Sequence, residues 1–193
     1  MKPKNLDKIQ KSFTTQSQNH VVYSKGAYDD TVRCLNLTKD DYVLDAAAGT
    51  CAFGRAAAPF VKTVICLDAT PDMLSAGKEE AEKSEITNMQ FINGYVDAIP
   101  FDDLYFDIVL TGVAFHHFPE IEKPFAEMHR VLKRGGQFVI KDMEAAEEAL
   151  RVIVKRNFSI TVNIYKTDIK DGRKTRLVER LKPFRRVGRV LSL

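Results

Sequence analysis

The stretch that decides the fold is Val43-Leu44-Asp45-Ala46-Ala47-Ala48-Gly49-Thr50-Cys51. It opens as an apolar run ending in an acid, which is typical of a short buried strand, and continues as a turn of small residues. Residues 53–60 then have the pattern of a helix. The backbone N–H groups of such a turn, followed by a helix N-terminus, can approach a ligand closely. The stretch therefore predicts a βα unit whose connecting loop binds a ligand.

The same alternation of strand and helix continues on both sides of this unit. Later strands are predicted at residues 63–68, 89–93, 106–111 and 137–140, and helices at residues 71–83 and 121–132. Gly135-Gly136 is expected to end the second of these helices, and two more helices precede the first strand, at residues 6–18 and 28–35. Because the strands are largely apolar, the sequence predicts an α/β fold. This is a Rossmann-like, doubly wound, mostly parallel sheet with helices on both faces and a shortened C-terminal part.

The carboxyl ends of these strands carry the candidate ligand-binding residues. Right-handed connections bring the carboxyl ends of parallel strands to one edge of the sheet, where ligands of such folds bind. Polar or aromatic residues lie at or just past four of these ends: Asp45, Asp68, Tyr95 to Asp97, and Thr111. One site at this edge is predicted to use all of them.

The composition is that of one globular domain, with 45% hydrophobic and 28% charged residues in a chain of 193. The N-terminus is polar, and no apolar run approaches the roughly 20 residues of a membrane helix. Cys34, Cys51 and Cys66 are scattered and have no metal-ligand spacing. These features predict a cytoplasmic protein with no membrane span, no disulfide framework and no metal site.

The last part of the chain, residues 151–193, is strongly basic, with 13 Lys/Arg against 3 Asp/Glu. Strands are predicted at residues 158–165 and 187–193, with a turn at Asp171-Gly172. Three interpretations compete: a shortened completion of the sheet, an arm that binds RNA or anionic lipid, and an altered terminus. The basic residues are not interleaved with aromatic residues, which favours the first interpretation and a solvated basic face.

The stretch around Asp45 resembles the Leu-Asp-x-Ala-Cys-Gly-Thr-Gly signature of class I S-adenosylmethionine-dependent methyltransferases. The most similar group is the one that includes the ubiquinone and menaquinone C-methyltransferases. The resemblance covers residues 9–150 and implies S-adenosyl-L-methionine as cofactor, held at the loop by Asp45, Ala46, Ala47, Gly49 and Thr50. Ala47 and Cys51 stand where the family has glycine. A nicotinamide dehydrogenase is disfavoured, since only Gly49 of its three fingerprint glycines is present.

Two further segments resemble the family's adenosine-binding motifs. Leu67-Asp68-Ala69-Thr70-Pro71-Asp72-Met73-Leu74 resembles an Asp-x-(Ser/Thr)-x-x-Met-Leu run. It implies that Asp68, with Ala69 beside it, takes the ribose hydroxyls and that Met73 packs on adenine. Residues 94–101 resemble a Gly-Asp-Ala-Glu-x-Leu-Pro-Phe segment on the adenine side, with Tyr95 in place of the family's acid. The Val96 N–H and the Asp97 carboxylate are the remaining adenine-side candidates, and Thr111 completes the cofactor set.

Candidates for the acceptor side follow the fourth predicted strand and lie near the N-terminus. Residues 114–119 resemble an aromatic–His–His–hydrophobic segment that lines the acceptor side in related enzymes, which points to Phe115. His116 or His117, at most one of the two, is a candidate base for an acceptor that must lose a proton. Phe13 opens a Phe-x-x-Gln pattern that resembles the start of these enzymes, and Tyr23 lies just after it.

These features predict one structural domain with three parts. They are an N-terminal helical lid at residues 1–40, a cofactor-binding core at 41–150 and the basic segment at 151–193. The predicted function is methyl transfer to a small-molecule acceptor by in-line displacement, which yields S-adenosylhomocysteine. The alternatives are a non-catalytic protein of the same fold and an RNA methyltransferase that uses the basic segment; nucleic acid is not the favoured partner.

Overall fold

A computed structural model describes the central part of the chain, and the fold below refers to the residues it covers. These are residues 6–24, 26–118, 120–142, 161–167 and 175–181. For some of them only the backbone is described: residues 6–10, Phe13, Tyr23, His116, 161–167 and 175–181.

The described strands form one seven-stranded sheet, with the order β3-β2-β1-β4-β5-β6-β7. Six strands are parallel, and β7 runs antiparallel to β6 at the edge. The strand bounds are β1 Tyr42–Ala46, β2 Thr63–Asp68, β3 Met89–Asn93, β4 Phe106–Gly112, β5 Leu132–Asp142, β6 Thr161–Thr167 and β7 Thr175–Leu181. The order reverses at β1, with β2 on one side and β4 on the other, so the crevice expected for a ligand lies at the carboxyl ends of these strands.

Helices cover both faces of the sheet. Their bounds are α1 Leu6–Ser24, α2 Asp29–Arg33, α3 Ala52–Ala57, α4 Pro71–Lys83 and α5 Glu122–Val131, with 3₁₀ turns at Ala58–Phe60 and Phe115–His117. One face packs against α5 through Phe125, Met128 and Val131. The other face packs against α2, α3 and α4. This arrangement confirms the predicted fold class, a Rossmann-like and mostly parallel sheet.

The predicted bounds of β2, β3 and α4 are confirmed, because their apolar patterns end at clear polar or proline boundaries. The predicted end of the last helix at Gly135-Gly136 is wrong. Helix α5 ends at Val131, and β5 begins at Leu132 and runs through both glycines. A Cβ on Gly136 would lie 2.7 Å from the Asp107 carbonyl oxygen, so this glycine lets β5 approach β4. Close strand packing, and not helix termination, explains the glycine at position 136.

Helix α1 is longer than predicted and α2 is shorter. The predicted strand at 158–165 overlaps β6, whereas β7 has no sequence-based counterpart. The turn at Asp171-Gly172 and the strand at 187–193 lie outside the described residues. In the part of the chain that the structure covers, no helix has the length and apolarity needed to cross a membrane.

Candidate functional site

The loop between β1 and α3 takes an unusual backbone path. Ala47, Gly49 and Cys51 all have φ between 53° and 57°, the left-handed region. For a residue with a Cβ this conformation costs on the order of 1–2 kcal/mol. Ala47 and Cys51 therefore adopt a backbone that glycine adopts without this cost. The loop keeps its shape because the Ala48 N–H donates to the Leu67 carbonyl at 3.0 Å and the Cys51 N–H donates to the Ala48 carbonyl at 2.7 Å.

Asp45, at the end of β1, is a buried carboxyl that holds the start of α3. Its Oδ2 accepts a hydrogen bond from the Gly54 N–H at 2.8 Å. Burial raises the pKa of Asp45 to about 8, and the nearby Asp68 adds to the increase, while the bond from Gly54 opposes it. A carboxyl in this state favours a nearby positive charge, because a cation stabilises its ionised form.

The raised pKa of Asp45 gives a prediction for stability. A carboxyl that binds its proton more tightly in the folded state loses stability as pH rises from its unfolded pKa, near 4, to about 8. Because of Asp45, we expect the free energy of unfolding to fall as the pH rises from 5 to 8, by at most about 1.4 kcal/mol per pH unit. Urea unfolding across this range measures the slope. Asp45→Asn keeps an acceptor for Gly54, and an unchanged slope in that variant would contradict the assignment.

Asp68, at the end of β2, ties the loop to the next helix. Its Oδ2 accepts from the Gly49 N–H and its Oδ1 from the Thr70 N–H, both at 2.8 Å. The side chain is half-buried, and burial raises its pKa. Each carboxylate oxygen has a second lone pair, so Asp68 retains acceptor capacity for a ligand hydroxyl.

Helix α4 packs directly on the loop. A Cβ on Gly49 would lie 3.2 Å from Met73 Cε, and Met73 itself is buried. A Cβ on Gly77 would lie 2.7 Å from the Thr50 carbonyl oxygen and 2.8 Å from Cys51 Sγ. The loop and α4 are therefore in contact along one turn of the helix, and Met73 lies beside the loop, where a ligand would meet it.

The segment after β3 lies beside Asp68, as the sheet topology requires. The Gly94 N–H donates to the Asp68 carbonyl at 3.0 Å, and the Ala98 N–H donates to the Tyr95 carbonyl at 3.2 Å. Val96 is buried, Tyr95 is half-buried and Asp97 is exposed. Ala69 follows Asp68 and is half-buried. The predicted adenosine-side residues thus come from two neighbouring strand ends.

Thr111, near the end of β4, is buried, and its Oγ1 has no hydrogen-bond partner among the described residues. An unsatisfied buried hydroxyl is costly, and an ordered water would satisfy it; Thr31 Oγ1 is in the same state among the described residues. Phe115 is also buried, and its backbone N–H donates to Asp142 Oδ2 at 3.0 Å. Its ring packs against Phe118 and Phe138, so contact with an acceptor would require this segment to move.

The roles predicted for His116, His117, Phe13 and Tyr23 stay predictions. His117 is half-buried in the 3₁₀ turn after β4, and its backbone N–H donates to the Ala114 carbonyl at 3.0 Å. The side chains of His116, Phe13 and Tyr23 are not among those described. Nowhere in the described ranges do three or more His, Cys, Asp or Glu side chains come together to hold a metal.

The N-terminal helices reach this edge of the sheet through contacts that the sequence reasoning missed. Ser24 Oγ, at the end of α1, lies 3.4 Å from Thr50 Oγ1 in the loop. The Tyr28 ring stacks on Phe53 with 4.4 Å between centroids and packs against Gly112, leaving no room for a Cβ there. Lys141 Nζ donates to the Ala27 carbonyl and lies 5.0 Å from the centroid of the Tyr28 ring. The only sequence signal was Gly112, a glycine directly after the strand predicted at residues 106–111.

These residues fit S-adenosyl-L-methionine by the chemistry of their donors and acceptors. Two acids with raised pKa values lie at adjacent strand ends, where the positive charges of this cofactor would favour their ionised forms. Asp68 suits ribose hydroxyls, since each of its carboxylate oxygens keeps a second lone pair. The small-residue loop admits close approach of backbone N–H groups.

Comparison with known proteins places this chain in a family. Residues 44–140, half of the chain, match a family model described as a methyltransferase domain. The chain belongs to the methyltransferase domain family. That membership confirms the resemblance of the chain to S-adenosylmethionine-dependent methyltransferases and implies S-adenosyl-L-methionine as the cofactor.

Relatives of this methyltransferase domain include two curated bacterial proteins. It is 36% identical over 106 residues to the uncharacterized methyltransferase YcgJ of Bacillus subtilis, covering 55% of this chain and 42% of that protein. It is 31% identical over 126 residues to the demethylmenaquinone methyltransferase of Listeria welshimeri, covering 64% and 52%. The chain spans about half the length of the curated relatives it matches.

Solved structures give the same result for the fold. The crystal structure of YcgJ aligns with a TM-score of 0.59 and 30% identity over 68% of this chain and 56% of that one. A SAM-dependent methyltransferase from Aquifex aeolicus aligns with a TM-score of 0.56 at 15% identity, over 82% and 73% of the two chains, and shows the fold alone.

Proposed function

We propose that this chain transfers the methyl group of S-adenosyl-L-methionine to a small-molecule acceptor by in-line displacement. The observation that carries the proposal is the meeting of three parts at one edge of the sheet: the loop after β1, Asp68 and the segment after β3. Asp68 joins them, since its carboxylate binds Gly49 and its carbonyl binds Gly94.

The protein's contribution to this reaction is positioning. When bound, the cofactor supplies a methyl group on a positively charged sulfur, so that no further activation of the donor is needed. Asp68 would hold the ribose, and the loop would hold the methionine end through backbone N–H groups. Thr111, near the end of β4, is the remaining candidate contact. Holding donor and acceptor in line is the larger part of catalysis for such a transfer.

Two contacts of the N-terminal segment and the name of one relative favour a small-molecule acceptor. The contacts Ser24–Thr50 and Tyr28–Gly112 bring the N-terminal segment against the cofactor edge, and an edge covered in this way would suit a small molecule better than a polymer. One of the relatives is named a demethylmenaquinone methyltransferase, and demethylmenaquinone is not a polymer. If the acceptor must lose a proton, His116 or His117, but not both, would accept it.

Binding and turnover test the proposal separately. Calorimetry with S-adenosyl-L-methionine and S-adenosylhomocysteine is expected to give micromolar dissociation constants. Incubation with a panel of phenols, quinols and enolisable ketones is then expected to yield S-adenosylhomocysteine with at least one of them. Cofactor binding without turnover on any acceptor would favour the non-catalytic alternative, which the left-handed Ala47 and Cys51 motivate. Absence of binding would reject the proposal.

A further inference from the structure

Two side chains of α5, Arg130 and Glu127, hold the loop that leaves β3. The Arg130 guanidinium donates to the carbonyl oxygens of Ile99 at 2.9 Å and Phe101 at 2.8 Å, and to Asp103 Oδ1 at 2.9 Å. Glu127 Oε2 accepts from the Ile99 N–H at 2.9 Å. Both backbone polar groups of Ile99 are therefore bound by side chains of α5.

Arg130 and Glu127, which we call the α5 clamp, also bind each other. Arg130 Nε donates to Glu127 Oε1 at 2.7 Å, and Nη2 donates to Oε2 at 2.8 Å. Such a two-pronged pair fixes the direction of the guanidinium as well as its distance. The hydrogen bond from Arg130 lowers the pKa of Glu127, so the pair stays ionised near neutral pH.

The α5 clamp lies at one end of residues 94–98, the segment predicted to lie on the adenine side of the site. The other end of this segment is held at the Asp68 carbonyl by the Gly94 N–H. Between the two anchors Val96 is buried, and Ile99, the first residue bound by the clamp, is buried in the same core cluster. The position of the segment therefore depends on α5 as well as on the sheet.

We propose that Arg130 and Glu127 are positioning residues that set residues 94–98 for recognition of the adenine ring. This inference rests on the proposed function. Arg130 acts through its planar fork, which reaches two carbonyls and two carboxylates at once. A lysine at this position keeps the charge but loses that geometry, so it does not replace arginine.

The experiment compares two ligands that differ at the base. S-adenosylhomocysteine carries the adenine amino group, and S-inosylhomocysteine carries an oxygen in its place. The wild-type chain is expected to prefer the adenine form by about tenfold, the value of one well-placed hydrogen bond. Arg130→Lys and Glu127→Gln are each expected to reduce this preference by at least threefold. Lys83→Gln breaks an ion pair of the same i,i+3 spacing and the same 2.7 Å length on α4, and is expected to leave the preference unchanged.

The ratio of the two affinities separates positioning from a merely structural role. A loss of stability alone lowers both affinities alike and leaves their ratio unchanged. Urea unfolding of each variant measures that loss of stability independently. An unchanged ratio in folded Arg130→Lys and Glu127→Gln overturns the inference while the proposed function stands. Failure of the wild-type chain to bind S-adenosylhomocysteine rejects the proposed function, and the inference with it.

Discussion

Asp68→Ala is expected to lower the affinity for S-adenosylhomocysteine by about 100-fold or more. The variant removes the acceptor for two ribose hydroxyls, and each hydrogen bond to a charged group is worth about 1.5–3 kcal/mol, where 1.4 kcal/mol is tenfold in affinity. It also releases the Gly49 and Thr70 N–H groups, so the loop after β1 loses its anchor. Isothermal titration calorimetry of the purified variant measures the loss.

The matched control for Asp68→Ala is Asp72→Ala. Asp72 is an exposed acid in the first turn of α4, four residues further along, and it has no bond to the loop among those described. Its replacement changes the charge equally and is expected to change the affinity less than twofold. Asp68→Asn, which keeps one carbonyl oxygen, should fall between the two. Unaltered binding by Asp68→Ala would remove this residue from the cofactor site.

Gly77→Ala is expected to destabilise the protein, although alanine is the better helix former. In the interior of a helix the exchange would ordinarily stabilise by about 1 kcal/mol. Here the new Cβ would meet backbone atoms of Thr50 and Cys51 Sγ at less than 3.0 Å, and overpacking of this kind costs about 1–3 kcal/mol. Because the displaced loop belongs to the cofactor site, binding of S-adenosylhomocysteine is expected to weaken at least tenfold as well.

Urea unfolding followed by circular dichroism decides whether Gly77→Ala raises or lowers the free energy of unfolding. Ser75→Ala, at an exposed position of the same helix, is the control for helix propensity and is expected to be neutral or slightly stabilising. A gain in stability for Gly77→Ala would show that α4 does not press on the loop. Loss of stability with full binding would show that the loop absorbs the displacement without affecting the ligand.

Much of the fold was accessible from the sequence because its local signals agree. The apolar run at 63–68 predicted β2 and the pattern at 71–83 predicted α4, both with the bounds observed. The end of α5 was not accessible, because Leu132 continues the helical apolar pattern although it pairs with Phe106 in the sheet. Strand β7 was missed for a related reason: its alternation with charged residues is weak, and its pairing with β6 is a long-range contact.

The candidate site also has a part that the sequence predicts and a part that it does not. Strand ends bring Asp45, Asp68 and Thr111 to one edge as soon as the sheet is parallel, so spacing along the chain was enough to group them. The contacts of Tyr28 with Gly112 and of Arg130 with Ile99 join residues far apart in sequence, and no local pattern marks them.

By itself, the sequence determined that a small-residue loop follows a buried strand ending in Asp45, and that an acid ends the next strand. Periodicity and spacing are local properties, and they are sufficient to predict a parallel sheet and its ligand edge. Only the tertiary structure decided that the loop holds two non-glycine residues at positive φ. It also decided that α4 packs on the loop and that α5 binds the end of the segment after β3. Those features depend on close packing between elements, which fixes a backbone only when all its neighbours are in place.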